Sequence, residues 1–296
     1  MKLLQKYFWV IILLSLFVGF VWREPGLLLK NYLTPILVVM MTLSCLKIDL
    51  KELKNIKKDW WRYAFIVINI FFLSSLFIYF ARHHLDRNIF LGLLVATSVP
   101  CGISVVSFSI IFGGQPTKAL VATTIAHLLA PVVTPFVVWL FAREIVTVNF
   151  ISMLVLMIKL LVIPIILAQI IRYLRLDRRI QNFVSPANTV LVSLLNWGTI
   201  APVAMLVSFR NHPFLVSLLV VCAITAVQII LGMWFGRNRE ERITWSITNF
   251  YRNTGLAAVI AMTSFGTSPM LGVVAYVLVT NAVLAPFQLW TSYKTK

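Results

Sequence analysis

Acidic side chains are nearly absent from this sequence. Nine aspartates and glutamates stand against 26 lysines and arginines in 296 residues. Glu24, Asp49, Glu52, Asp59, Asp86, Glu144, Asp177, Glu240 and Glu241 all lie in loops or at the edges of apolar runs. No deep pair of carboxylates is therefore available for hydrolysis inside an apolar interior. H-E-x-x-H and G-x-S-x-G are missing too, which removes the usual zinc-hydrolase and nucleophile-elbow signals. Neither an enzyme nor a cofactor is expected. Cysteine is equally sparse: Cys45, Cys101 and Cys222 sit in apolar stretches, in no disulfide or zinc spacing, and read as packing residues. Charge of either sign makes up only 12% of the chain, against 60% hydrophobic residues, a balance no soluble domain could bury.

What the chain has instead is a succession of long apolar runs. A bilayer core about 30 Å thick takes roughly 20 helical residues per crossing. On that scale the sequence reads as ten spans: 7–22, 32–46, 60–81, 88–112, 117–142, 149–174, 187–207, 212–235, 242–265 and 269–292. The first follows Lys2 and Lys6 as a signal peptide would. No small-residue cleavage site comes after it, so it reads as a retained helix. The fold class is an all-α polytopic membrane protein whose surroundings are the lipid bilayer.

A net charge of +17 could indicate nucleic acid, but the basic residues gather in short loops between spans. With the amino terminus inside, inner segments hold 18 of the 26; the outer loops hold Arg23, Lys30, Arg82, Arg87, Arg143 and Arg210. That bias puts both termini in the cytoplasm, and a bacterial inner membrane is the expected location. The basic run from Lys47 to Arg62 is then a solvated inner loop beside anionic headgroups.

Two segments repeat each other. "PCGISVVSFSIIFGGQP" in span four answers "NTGLAAVIAMTSFGTSP" in span nine. Gly102 pairs with Gly255, Phe112 with Phe265, Gly113 with Gly266 and Pro116 with Pro269, all at one offset of 153 residues. Five spans separate the copies, so they point in opposite directions across the bilayer. Inverted repeats with matching interruptions are the recurrent plan of secondary transporters. The halves are 1–148 and 149–296. Pro100, Cys101 and Gly102 in one copy, and Asn253, Thr254 and Gly255 in the other, are expected to break their helices and present half-helix ends to a solute.

Arg252 stands just before the second break. It lies ten residues beyond Arg242, about 15 Å along a helix. An arginine at that depth costs roughly 2.5–3.5 kcal/mol, and no acid lies at the same depth to offset it. Unpaired carbonyls of the preceding turn are one expected partner, and a bound anion another. Lys159, ten residues into span six, is a second deep cation. Together they favour an anionic substrate, so Arg252, Lys159 and the two breaks are candidate binding residues. His127 in span five is a candidate too, although a packed histidine is the commoner case. Asn196, Asn249, Asn281 and Gln288 should face the interior, because polar groups facing lipid are costly; Asn281 joins the substrate candidates.

The ten spans, both breaks, "RNTGLA", the FG-x-x-P turns and "LTPILVVMMTLSCLKIDLKELKN" resemble the bile acid:sodium symporter superfamily, and the chain is similar to a divergent bacterial-type member. The resemblance implies a core domain of spans three to five and eight to ten, moving against a panel of spans one, two, six and seven. It also implies uptake of organic anions such as bile acids or small carboxylates, driven by sodium. The family's sodium ligands are mostly replaced. Thr248 stands where sodium-coupled relatives have a glutamate, and Arg252 where they have a glutamine. Val105 and Val106 replace a Ser-Asn pair, and Ala119 a serine; Thr123 persists. Valine offers no oxygen to a hard cation. Thr123, Thr248 and Asn249 thus mark a degenerate sodium site, and Arg252 reads as a tethered cation in the ion's place.

The leading expectation is a secondary active transporter of small organic anions by alternating access, with sodium, a proton or no ion as its coupling partner. An efflux carrier of the auxin or arsenite type shares the ten broken-helix spans, and a non-transporting scaffold on a carrier fold is the third reading.

Overall fold

The computed structural model describes residues 8–46, 59–207 and 212–293. Lys2, Lys6, the basic run 47–58, Arg210, Lys294 and Lys296 lie outside the described residues. Every regular element described is a helix. In chain order these are α1 (Phe8–Val21), α2 (Arg23–Lys30), α3 (Leu33–Cys45), α4 (Trp60–His84), α5 (Arg87–Ser98), α6 (Ser104–Ile111), α7 (Pro116–Ala142), α8 (Phe150–Tyr173), α9 (Asp177–Ile200), α10 (His212–Phe235), α11 (Arg239–Phe250), α12 (Thr254–Phe265) and α13 (Met270–Tyr293). Among them α4, α7, α8, α10 and α13 are each long and apolar enough to cross a bilayer. α2 and α3 pass that test only together, bent by 77°.

Two boundaries differ from the sequence reading. The seventh span was expected at 187–207, but α9 begins at Asp177 and ends at Ile200. Asp177 places negative charge in the first turn, where the helix dipole favours it. Pro202, which cannot continue the backbone ladder, lies in the turns that follow. α2 was not foreseen: eight residues with three charges give no apolar run, yet Gly26 is buried so close to α9 that an added Cβ would lie 2.4 Å from Ala201 Cβ.

The centre of the protein is built from helices buried on every side. From Ile89 to Pro100, from Ile243 to Asn253 and from Leu256 to Ala261, every residue is buried. Such burial needs close backbone approach, and small residues supply it. A Cβ on Gly92 would fall 1.8 Å from the Pro269 carbonyl oxygen, and one on Gly272 2.3 Å from that of Ile89, so α5 and α13 touch backbone to backbone. Gly232 brings α10 equally close to Ser246 of α11. The polar ends of the buried helices are capped: Asp86 accepts from the Asn88 and Ile89 amides, and Asn238 from the Glu241 amide.

Candidate functional site at the crossing of two broken helices

α5 and α6 are separated by residues 99–103, and α11 and α12 by residues 251–253. Pro100 explains the first break: it forces Val99 into extended backbone (φ −79°, ψ 157°) and ends α5 there. At the second, Tyr251 is extended (φ −89°, ψ 102°), and Asn253 restarts the helix by accepting the Leu256 amide at 3.1 Å. The breaks lie against each other. The Gly102 amide donates to the Tyr251 carbonyl at 2.9 Å, and the Asn253 amide to the Pro100 carbonyl at 2.9 Å, pairing Cys101 with Arg252 in a single antiparallel bridge. Backbone groups freed by each break are thus largely satisfied by the other.

Side chains satisfy further carbonyls. Tyr276 donates its hydroxyl to the Phe250 carbonyl at 2.8 Å, and Thr134 to the Ser98 carbonyl at 2.7 Å. The carboxyl ends of α11 and α5 are therefore already occupied. This corrects one expectation: the preceding turn does not leave the Phe250 carbonyl free for the Arg252 guanidinium, because a tyrosine from α13 holds it.

Arg252 is 1% exposed and turns toward α4 instead, donating from Nη2 to Ser74 Oγ at 3.0 Å. Ser74 follows a π-helical turn, Asn69–Leu73, that widens α4. It also accepts from Gln228, whose amide exchanges hydrogen bonds with Asn69 at 3.2 and 3.3 Å. Asn249 donates to the Gln228 carbonyl at 3.4 Å. Tyr276 and Cys101 are near enough to interact electrostatically with the guanidinium. Nε and Nη1 of Arg252 have no hydrogen-bond partner among the described residues. Among the described residues, what surrounds this charge is a neutral polar network, reached from α4, α10 and α13, and not an acid.

The remaining candidates divide into two groups. Pro100, Cys101, Gly102, Asn253, Thr254 and Gly255 form the crossing itself, and Thr254 and Gly255 are partly accessible. Thr123 is buried beside it, 3.5 Å from Cys101 Sγ, and its carbonyl meets His127 Nδ1 at 2.8 Å. His127 is fully buried, and its Nε2 has no hydrogen-bond partner among the described residues. Thr248 is spent within its own helix on the Thr244 carbonyl at 2.7 Å. Asn281 accepts from the Tyr251 hydroxyl at 3.4 Å, so it positions the break. Lys159 stands apart: it is exposed on α8, in a second π-helical turn, Ile158–Val162. Asn196 is buried against Ser15, and Gln288 is partly buried. Sequence reasoning missed Ser74, Gln228, Asn69, Thr134 and Tyr276; their one signal was polarity inside an apolar run.

At the far end of α11 the charges do find partners. Glu241 is 3% exposed, accepts from Arg62 at 2.6 Å and from the Arg237 amide at 2.9 Å, and is also bonded by Lys118. Burial alone would raise its pKa, but the hydrogen bonds from Lys118, the Arg237 amide and Arg62 outweigh that and hold it down at about 2. A cavity of about 390 Å³ beside this cluster is lined by Asp59, Gln115, Lys118 and Glu240.

The sequence model of the Sodium Bile acid symporter family matches residues 34–209. The chain belongs to that family. The match runs from α3 past α9 and includes the first break; the second break lies beyond the matched residues. A relative in Bacillus subtilis (strain 168), named uncharacterized sodium-dependent transporter YocS, is 25% identical over 275 residues, covering 90% of this chain and 83% of its own. The protein is an integral membrane member of a transporter family.

Proposed function

We propose that the protein is a secondary carrier for small organic anions that works by alternating access and carries its own cation, Arg252, where a coupling ion would bind. The observation behind this reading is a guanidinium sealed at the crossing with no acid beside it among the described residues. The carboxyl ends of α5 and α11 stop at the crossing, and each contributes a partial negative charge of about one half. Those fields favour a cation, and Arg252 supplies one that cannot leave. Two valines, Val105 and Val106, stand where the resemblance expects oxygen donors, so Thr123, Thr248 and Asn249 are the members of that ligand set that keep a side-chain oxygen. The amino ends of α6 and α12 face the solute instead, with Thr254 and Gly255 partly accessible.

In this reading the helices make ten spans in two inverted halves, 1–148 and 149–296. Each break has its counterpart at the offset of 153 residues, and the FG-x-x-P turns place Gly113 and Gly266 alike at positive φ, 75° and 89°. Spans three to five and eight to ten form the moving core, spans one, two, six and seven the panel, and both termini are cytoplasmic. Lys159, exposed on the panel helix α8, contributes positive potential at the membrane-facing side and not a direct contact at the crossing.

Sodium coupling is the second reading. The family's description and the name of the Bacillus subtilis relative favour it; the ligand set disfavours it. Counterflow separates the classes. Proteoliposomes loaded with an unlabelled small carboxylate should accumulate its labelled form in sodium-free choline buffer. A panel of carboxylates and sulfonates that produces neither counterflow nor thermal stabilisation in either buffer would rule out an organic-anion carrier and leave the scaffold reading.

A further inference from the structure

The two broken helices are not equally covered. On α6 and just before it, Ile103, Ser104, Val106 and Ser107 are partly accessible, and Ile110 is 64% exposed. The counterparts of the first four at the 153-residue offset, Leu256, Ala257, Val259 and Ile260, are fully buried on α12. Thr263, the counterpart of Ile110, is exposed like it, so the difference is confined to the turns next to the breaks. Packing accounts for the difference. α12 packs chiefly on α5 and α13 and in addition lies against α3 and α9, whereas α6 packs chiefly on α7 and α11. The approach at α12 is close: a Cβ on Gly255 would stand 3.1 Å from Leu195 Cδ1 and 3.7 Å from Leu37 Cδ1. Next to the breaks, the α12 side is therefore sealed against α3 and α9, whereas the α6 side, where Ile103 packs near Cys45 and Ala168, is the more open.

Two side-chain hydrogen bonds stitch the sealed seam. Asn253 donates to Met41 Sδ at 3.3 Å, next to the crossing. Farther out, Lys30 at the end of α2 donates from Nζ to Thr267 Oγ1, in the turn after α12, at 2.9 Å. Lys30 forms no ion pair with an acid among the described residues. An ammonium group that could stay hydrated is held instead to a hydroxyl across the seam. The turn it grips is anchored on the other side, where Pro269 meets Gly92.

Resting on the repeat and orientation given under the proposed function, we propose that the Lys30–Thr267 hydrogen bond is the outer latch of the carrier, holding the panel against α12 while the inner end is open. The bond is made only when the outer seam is shut, because Lys30 and Thr267 sit on opposite sides of it. Losing it removes stabilisation from the inner-open state alone. This bond is only partly buried, so at the ordinary net strength of a hydrogen bond its loss should shift that equilibrium about fivefold to tenfold.

The test uses full-length protein with Cys222→Ser, which leaves the buried Cys45 and Cys101, and one added probe, Ala257→Cys or Ser107→Cys. A membrane-impermeant maleimide is applied from either side of oriented vesicles. The Ser107→Cys protein should react from the inner side. The Ala257→Cys protein should react slowly from the outer side, and about fivefold to tenfold faster with Lys30→Met or Thr267→Val. The two together should add little beyond either alone, and Lys30→Arg, which keeps a donor, should stay near the parent rate. Equal Ala257→Cys rates in parent, Lys30→Met and Thr267→Val overturn the latch. Reaction of the Ser107→Cys protein from the outer side alone overturns the orientation, and the latch with it.

Discussion

Arg252 Nη2 lies 3.0 Å from Ser74 Oγ, and this bond ties the second break to a helix that carries its own π-helical turn. Ser74 accepts from Gln228 as well, so one hydroxyl oxygen serves two donors. Ser74→Ala would remove the acceptor of Arg252 Nη2 and leave Gln228 short of one. A loss of about 1–3 kcal/mol is expected, read as a lower thermal midpoint in detergent. Ser74→Thr, which keeps the oxygen, should retain most of the stability; equal loss in both would place the effect in packing.

Tyr276→Phe tests the cap on α11. It removes the donor to the Phe250 carbonyl without changing the ring, at an expected loss of about 1 kcal/mol. The freed carbonyl would also give Arg252 a new acceptor. Combined with Ser74→Ala, the loss should then be smaller than the sum of the two single losses, and a double-mutant cycle measures the difference.

Gly272→Ala should be more damaging than any surface change on α13. The added methyl would meet the Ile89 carbonyl oxygen at 2.3 Å and the Leu93 amide nitrogen at 2.7 Å. Both are backbone atoms, so neither can swing aside. Overpacking of about 1–3 kcal/mol or more follows, with reduced yield of folded protein as the readout. Gly113→Ala has open space around the added Cβ, but its φ of 75° makes the loss conformational and smaller, about 1 kcal/mol.

Stability near the Glu241 cluster should depend on pH in one direction. The carboxyl is held at about 2, below its ordinary value of 4.5. Its contribution is then complete above about pH 4.5 and lost as pH falls toward 2. Glu241→Gln breaks a buried ion pair and should cost about 3–5 kcal/mol at neutral pH. The gap between wild type and variant should hold steady from pH 7 to about 5 and narrow below that. A gap independent of pH down to 3 would show that the carboxylate charge contributes nothing.

Much of the architecture could be read from the sequence, because apolar runs of bilayer length and a proline-led break are local signals. Pro100 and the stretch Arg252–Gly255 placed both interruptions. The partner of Arg252 could not be read that way. Ser74 is 178 positions away, and a serine in an apolar run is ordinary; only the π-helical turn and the neighbouring Gln228 make it an acceptor. Tyr276 was hidden for the same reason, since an aromatic in an apolar span reads as packing. Lys159 went the other way. Its depth in the eighth helix suggested a site residue, but depth along a helix does not say which face a side chain takes, and its face is the exposed one.

Sodium dependence of transport tests the role of Arg252 most directly. Uptake of a transported carboxylate into proteoliposomes is compared with an inward sodium gradient and with choline at equal ionic strength, for wild type and for Arg252→Gln. If the guanidinium stands in for the ion, wild-type rates are equal in the two buffers, and Arg252→Gln loses uptake in both, because an amide restores no charge. Wild-type uptake that requires the sodium gradient would contradict the account, whatever the variant does.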